Sequence, residues 1–254
     1  MLGVMRKIAD IRTFEDRPFL RRTSQLSLVA FAAGTVATLV AAVALALWAP
    51  GSFDPELARA FWYSGGAASY LLWIAEVAVA TVLSLALHEV VHAMLFKAFA
   101  PRGTRVTFGA NWKLGMIYAC AEGVVYPRSR YLAVAIAPTV AVTLVDVLAG
   151  AALGHPVAGL LVATIHLSGC AGDWGYVEAI RRNPAISYCE DTTWGVVFYG
   201  EGEGPAAGDA DDAAEPELLR ALGARRDGRP DAACPAASVP VAAPTAEATM
   251  EVRP

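Results

Sequence analysis

Two histidines four residues apart, the first followed directly by a glutamate, close a long apolar run: Leu87-His88-Glu89-Val90-Val91-His92-Ala93. On a helix, residues four apart share a face, so His88 and His92 can offer two imidazole nitrogens to one metal ion. Glu89 then stands beside that ion without ligating it, placed to take a proton from a water held there. That is zinc-hydrolase chemistry; the bland alternative is a pair of polar residues at a helix end. With four histidines in the whole chain, chance rarely produces this spacing.

A catalytic zinc takes three protein ligands and keeps a fourth position open. Carboxylates inside apolar runs are costly and are the natural candidates: Glu76, Asp146 and Asp173. Helical rise separates them. His88 lies roughly 31 Å from the start of its span and Asp173 roughly 24 Å from the start of its own, both toward the same side. Glu76 falls about 18 Å short of His88, and Asp146 stands about 22 Å from the inner end of its helix, so both are expected inside the bundle, protonated or hydrogen-bonded, or lining a water path. Asp173 is the expected third ligand. Gly169, Gly172 and Gly175 recur every three residues around it and are expected to let a facing helix approach closely. His166 lies two turns before Asp173 on the same side and is expected as a packing residue, with contact to metal or substrate as the alternative. Cys170 is a softer competing ligand. His155, in a turn at the far side, is expected to be structural.

The elements that carry these residues must be membrane helices. The 254 residues are 56% hydrophobic and only 17% charged, too apolar for an average soluble domain. The net charge of −4 says little about partners, because its acidic excess sits mostly in the tail; no nucleic-acid partner is expected. The four cysteines form no C-x-x-C pair, so neither a disulfide framework nor a zinc ribbon is indicated. Residues 1–25 form a basic flank. Residues 26–182 then read as a four-span domain, with spans at about 26–49, 67–98, 131–153 and 157–180, the last continuing as one helix through Asp173. The loop at 97–130 is rich in Lys and Arg, which places it, the metal motif and both termini on the cytoplasmic side. Within it, 105–108 and 116–120 are β-prone runs separated by glycines and predict a hairpin; 124–126 predicts a third strand or the lead into a helix. Residues 50–66 read as an external loop. Residues 183–200 read as a short cytoplasmic strand-like segment, and 201–254 as a disordered tail rich in Ala, Pro, Gly and acids. The fold class is an all-α membrane protein, with four transmembrane helices, a small cytoplasmic β-hairpin and a disordered C-terminal tail.

The chain also resembles a family of bacterial membrane proteins described as putative zincin peptidases, similar in plan to site-two protease-type intramembrane metalloproteases. The resemblance rests on His88-Glu89-Val90-Val91-His92-Ala93, on the run YLAVAIAP from Tyr131 to Pro138, on Ser168-Gly169-Cys170-Ala171-Gly172-Asp173, and on Cys189-Glu190-Asp191-Thr192. It covers roughly residues 67–200. It implies zinc as cofactor, His88, His92 and Asp173 as its ligands, and Glu89 as general base. His166 departs from the pattern, where asparagine is commoner.

The function expected from these residues is a membrane-embedded zinc metalloprotease of the bacterial cytoplasmic membrane. It would hydrolyse peptide bonds of a membrane protein or peptide substrate near the cytoplasmic face, within the lipid bilayer. The alternative is a non-catalytic membrane scaffold or adaptor with a structural metal or none. A metal transporter is disfavoured, because the ligands cluster at one level instead of following a path.

Overall fold

The chain folds, in a computed structural model, as a helical bundle with a small sheet at one end. The structure describes residues 5–49, 51, 54–61, 65–111, 116–121 and 123–202. The expected disordered tail lies outside them from residue 203 onward, as does Cys234.

Three helices are long and apolar enough to cross a membrane: α1 (Arg17–Trp48), α3 (Gly66–Phe99) and α4 (Arg128–Ala152). A broken pair, α5 (Pro156–Gly169) and α6 (Ala171–Arg182), makes a fourth crossing if it is counted as one span. These are the helices of a multi-pass membrane protein. Their outward faces carry bare aliphatic side chains, such as Leu28, Leu72 and Leu83, each about two-thirds exposed. In water such a surface would be strongly unfavourable; against lipid tails it is not. Helix α1 starts at a defined stop: the Asp16 side chain accepts from the Phe19 N–H at 3.0 Å, and Pro18 occupies the first turn.

The least exposed helix is α5, which packs on α1, α3 and α4. It can approach α4 so closely because Gly150 and Gly159 meet backbone to backbone: a Cβ on Gly150 would fall 2.6 Å from the Gly159 Cα. The glycines expected to serve this purpose do so only in part. Gly172 has open space around it and Gly169 has only Leu85 nearby, whereas Gly175 admits Phe19 and Thr23 of α1. The expected continuous helix over 157–180 is corrected as well. It bends by 45° at Cys170, and the new helix α6 begins at Ala171.

The sheet is larger than a hairpin and reaches both ends of the described chain. Its order is β1-β6-β5-β4, all antiparallel, with β1 (Met5–Arg12), β4 (Val125–Pro127), β5 (Tyr188–Thr192) and β6 (Gly195–Glu201). An all-α description therefore gives way to a helical bundle with a sheet. The N-terminal basic flank is not a bare extension: Met5 to Arg12 pair with Glu201 back to Gly195. The β5–β6 turn requires Gly195, whose φ of 152° and position 2.0 Å (by a hypothetical Cβ) from the Ile11 carbonyl leave no room for a side chain. The β-prone runs in the middle loop pair with each other as a separate hairpin, β2 (Thr107–Asn111) and β3 (Met116–Cys120). Ile11, Phe19, Phe96, Tyr126, Ile180, Ile186, Val196 and Phe198 form one core that ties the four-stranded sheet to the helix ends. Each such side chain contributes roughly 1.5–3 kcal/mol by its removal from water.

At the opposite end, residues expected as a loop include a short helix, α2 (Asp54–Ala60). Its Glu56 is 2% exposed and accepts hydrogen bonds from the Val157 N–H (3.1 Å), the Ala158 N–H (2.6 Å) and the Trp73 indole (3.3 Å). It thereby satisfies the unpaired donors at the start of α5.

Candidate metal centre

The long α3 sets the position of the motif. At 34 residues it extends about 51 Å, against a hydrocarbon core of roughly 30 Å, so its last turns continue to the sheet end of the bundle. His88 and His92 point inward from it and are 9% and 8% exposed. The bend at Cys170 then brings the first turn of α6 against them, and Asp173 stands in that turn, where the helix N-terminus favours a negative charge.

Three donor atoms converge. His88 Nε2 lies 3.0 Å from His92 Nε2 and 3.3 Å from Asp173 Oδ2, and His92 Nε2 lies 3.5 Å from Asp173 Oδ1. A tetrahedral zinc with ligands at about 2.0–2.2 Å places its donors roughly 3.3–3.5 Å apart, so the triangle has the dimensions that ion requires. The chemistry agrees. Two neutral imidazole nitrogens facing each other can share at most one proton, and a cation satisfies both lone pairs together with the carboxylate. The residues present fit zinc.

Glu89 follows His88 around the helix and faces a cavity of about 180 Å³ that also contains His88, His92 and Asp173. The Ala119 N–H of β3 donates to its carboxylate. Because β3 pairs with β2 along its other edge, that contact turns the β3 edge that faces away from β2 toward the site. Tyr131, Tyr176 and Asp191 also line the cavity, as do Thr13, Phe14 and Trp194.

Asp191 is the acid that spacing did not single out. Its Oδ1 accepts from the Tyr131 hydroxyl at 3.0 Å. Burial pushes its carboxyl up to about 7, against the opposing effects of that hydroxyl and of nearby His92. Its neighbour in the strand, Cys189, is raised to about 12 by burial and has no role in the cavity. Tyr131 and Asp191 both fall in stretches that carry the family resemblance, but no periodicity says that they meet. Thr13 and Phe14 give no sequence signal at all: they reach the cavity only because β1 is paired into the sheet.

The other candidates separate cleanly. Asp146 is hydrogen-bonded inside the bundle, accepting from Ser84 Oγ at 2.7 Å. Glu76 is not inside it. Its side chain is half-exposed, pairs with Arg59 of α2 and lies 4.0 Å from His155 Nδ1. Neither acid approaches the histidine pair. His166 and Cys170 do approach it, but from the other side of the His88 ring: His166 Nε2 is 3.0 Å and Cys170 Sγ 3.8 Å from His88 Nδ1. Thus His88 stands between two donor sets, one with His92 and Asp173, the other with His166 and Cys170.

No curated protein and no solved structure matches the chain. Residues 81–188, which run from the middle of α3 through the hairpin, α4, α5 and α6 to the first residue of β5, match the model of the family described as putative zincin peptidase.

Proposed function

We propose that the chain is a four-span, membrane-embedded zinc metallopeptidase that hydrolyses peptide bonds of a membrane protein or peptide at the cytoplasmic face. The observation that carries this reading is the triangle of His88 Nε2, His92 Nε2 and an Asp173 carboxylate, with separations of 3.0 to 3.5 Å and with Glu89 lining the same cavity. The match of residues 81–188 to the family model supports it. The three residues would hold the ion, which, when bound, polarises a scissile carbonyl and makes water a stronger acid.

The chain's own groups do the rest. Glu89 accepts a proton from the attacking water and returns it to the leaving amine. The Ala119 N–H beside the Glu89 carboxylate would help to orient it for that exchange. The edge of β3 that faces away from β2 would offer main-chain groups to an extended peptide, and so would hold an unwound substrate segment across the ligands. The Lys and Arg of the middle loop support a cytoplasmic position for this end of the bundle.

The test is Glu89→Gln in the full chain, purified in detergent and assayed with a quenched peptide or a reconstituted membrane substrate. Cleavage should fall by about 10²–10⁴-fold while zinc content stays at one per chain. Undiminished cleavage would remove Glu89 from the mechanism and favour a scaffold.

A further inference from the structure

The ring of His88 can serve only one of its two donor sets at a time while it stays neutral, because a neutral imidazole has one bare nitrogen. Proton bookkeeping decides which. On one side, Cys170 has a partner without any ion: its thiol donates to the His166 carbonyl at 3.4 Å. His166 is 1% exposed, and both of its ring nitrogens are partnered, Nε2 by His88 Nδ1 at 3.0 Å and Nδ1 by Thr143 Oγ1 at 3.2 Å. On the other side, His88 Nε2, His92 Nε2 and the Asp173 carboxylate bring three electron-pair donors together.

Resting on the metallopeptidase reading, we infer that His166 is a positioning residue for the metal: its Nε2 accepts the Nδ1 proton of His88, which leaves His88 Nε2 bare toward His92 and Asp173. The His166 Nδ1 proton is then held by Thr143, so the line His88 to His166 to Thr143 runs from α3 through α5 to α4 with each proton donated in one direction. A ligating histidine whose second nitrogen is so engaged is oriented and made more basic. His92 lacks this brace: its Nδ1 is buried with no partner among the described residues, and its ring is held instead by stacking on Phe96, 6.2 Å between centroids. The bracing is therefore specific to His88, and it runs through α5, the least exposed helix of the bundle.

Zinc affinity of the full chain in detergent, measured by competition with a chromophoric chelator, tests this without any substrate. His166→Leu should weaken zinc binding by about 10- to 100-fold, and His166→Gln, whose side-chain carbonyl can accept the same proton, should recover most of it. Thr143→Val should produce a smaller loss in the same direction, and it keeps the idea testable should His166→Leu fail to fold. Affinity unchanged in His166→Leu and Thr143→Val, while His92→Ala and Asp173→Ala lose zinc, would overturn the positioning role and leave the metallopeptidase reading intact. Zinc retained in both His92→Ala and Asp173→Ala would overturn both. The cobalt-substituted protein separates the two sides of the ring: no thiolate-to-cobalt absorption is expected, and such a band, lost in Cys170→Ala, would put the ion between His166 and Cys170 and overturn the inference.

Discussion

Two carboxylates stand at the starts of two consecutive helices, Glu56 against α5 and Asp173 in the first turn of α6, and they have opposite surroundings. Glu56 accepts from two helix N–H groups and an indole, donors that carry a proton at any pH. Asp173 faces two imidazole nitrogens, groups that can exchange a proton for a metal ion. Both acids are sheltered and both profit from a helix dipole. What differs is whether the neighbours' protons are fixed. Fixed donors make a structural staple at the α2 end, and exchangeable ones make a candidate centre at the sheet end.

The comparison breaks most visibly through Glu56. Glu56→Ala leaves two buried donors and one half-buried donor without an acceptor and should cost roughly 3–5 kcal/mol of stability, read from thermal or denaturant unfolding in detergent. Zinc bound per folded chain should not change. Asp173→Ala should do the reverse. It should weaken zinc by more than about 100-fold, beyond what an outer-shell partner contributes, while the metal-free protein keeps its stability within about 1 kcal/mol. Should Asp173→Ala unfold the metal-free protein as Glu56→Ala does, the two carboxylates would be of one kind and the contrast would fail.

How much of this contrast can be read from sequence follows from range. The His88-Glu89-Val90-Val91-His92 pattern is local, and α3 keeps it on one face as the four-residue spacing requires. Depth along the apolar runs points to Asp173, but the carboxylate arrives by a 45° bend at Cys170, not by a straight helix with a glycine seam. Glu56 was invisible because its partners are 101 and 102 residues away and nothing about a glutamate in a loop announces a helix N-terminus across the bundle. The sheet was half visible. Strands β5 and β6 show their β-branched and aromatic residues, but β1 reads as a basic flank until Ile8 and Ile11 are seen packing with the β6 core. Hydrophobic patterning reports which residues seek burial, and pairing across 190 residues is decided by packing that no local window contains.

The approach of α5 to α4 ties the two ends together, since α5 begins at the Glu56 staple and ends beside Asp173. Gly159→Ala would put a methyl group 2.7 Å from the Asp146 carbonyl and 2.8 Å from the Gly150 Cα, contacts with backbone that cannot yield. It should cost roughly 1–3 kcal/mol. By pushing α5 it should also weaken zinc binding slightly, whereas an equal loss of stability with zinc affinity unchanged would show the two ends to be mechanically separate.

Asp191 is a third carboxylate, and it has features of both kinds. It has a fixed donor in the Tyr131 hydroxyl, yet it lines the same cavity as Glu89 and Asp173. With its folded carboxyl up at about 7 and its unfolded one near 3.9, the native state holds a proton that the unfolded chain has lost across that interval. Stability of the metal-free protein should therefore fall as pH rises from about 4 through 7, and the loss should be complete above that. Asp191→Asn keeps an acceptor for Tyr131 and cannot ionise. It should match wild type at pH 4 and exceed it by roughly 1–2 kcal/mol at pH 8, after allowance for partial solvent access. Unfolding of both metal-free proteins across that range makes the comparison. A wild type that is the more stable at pH 8 would mean that Asp191 is held ionised by its surroundings, and would move it from the company of Glu56 to that of Asp173.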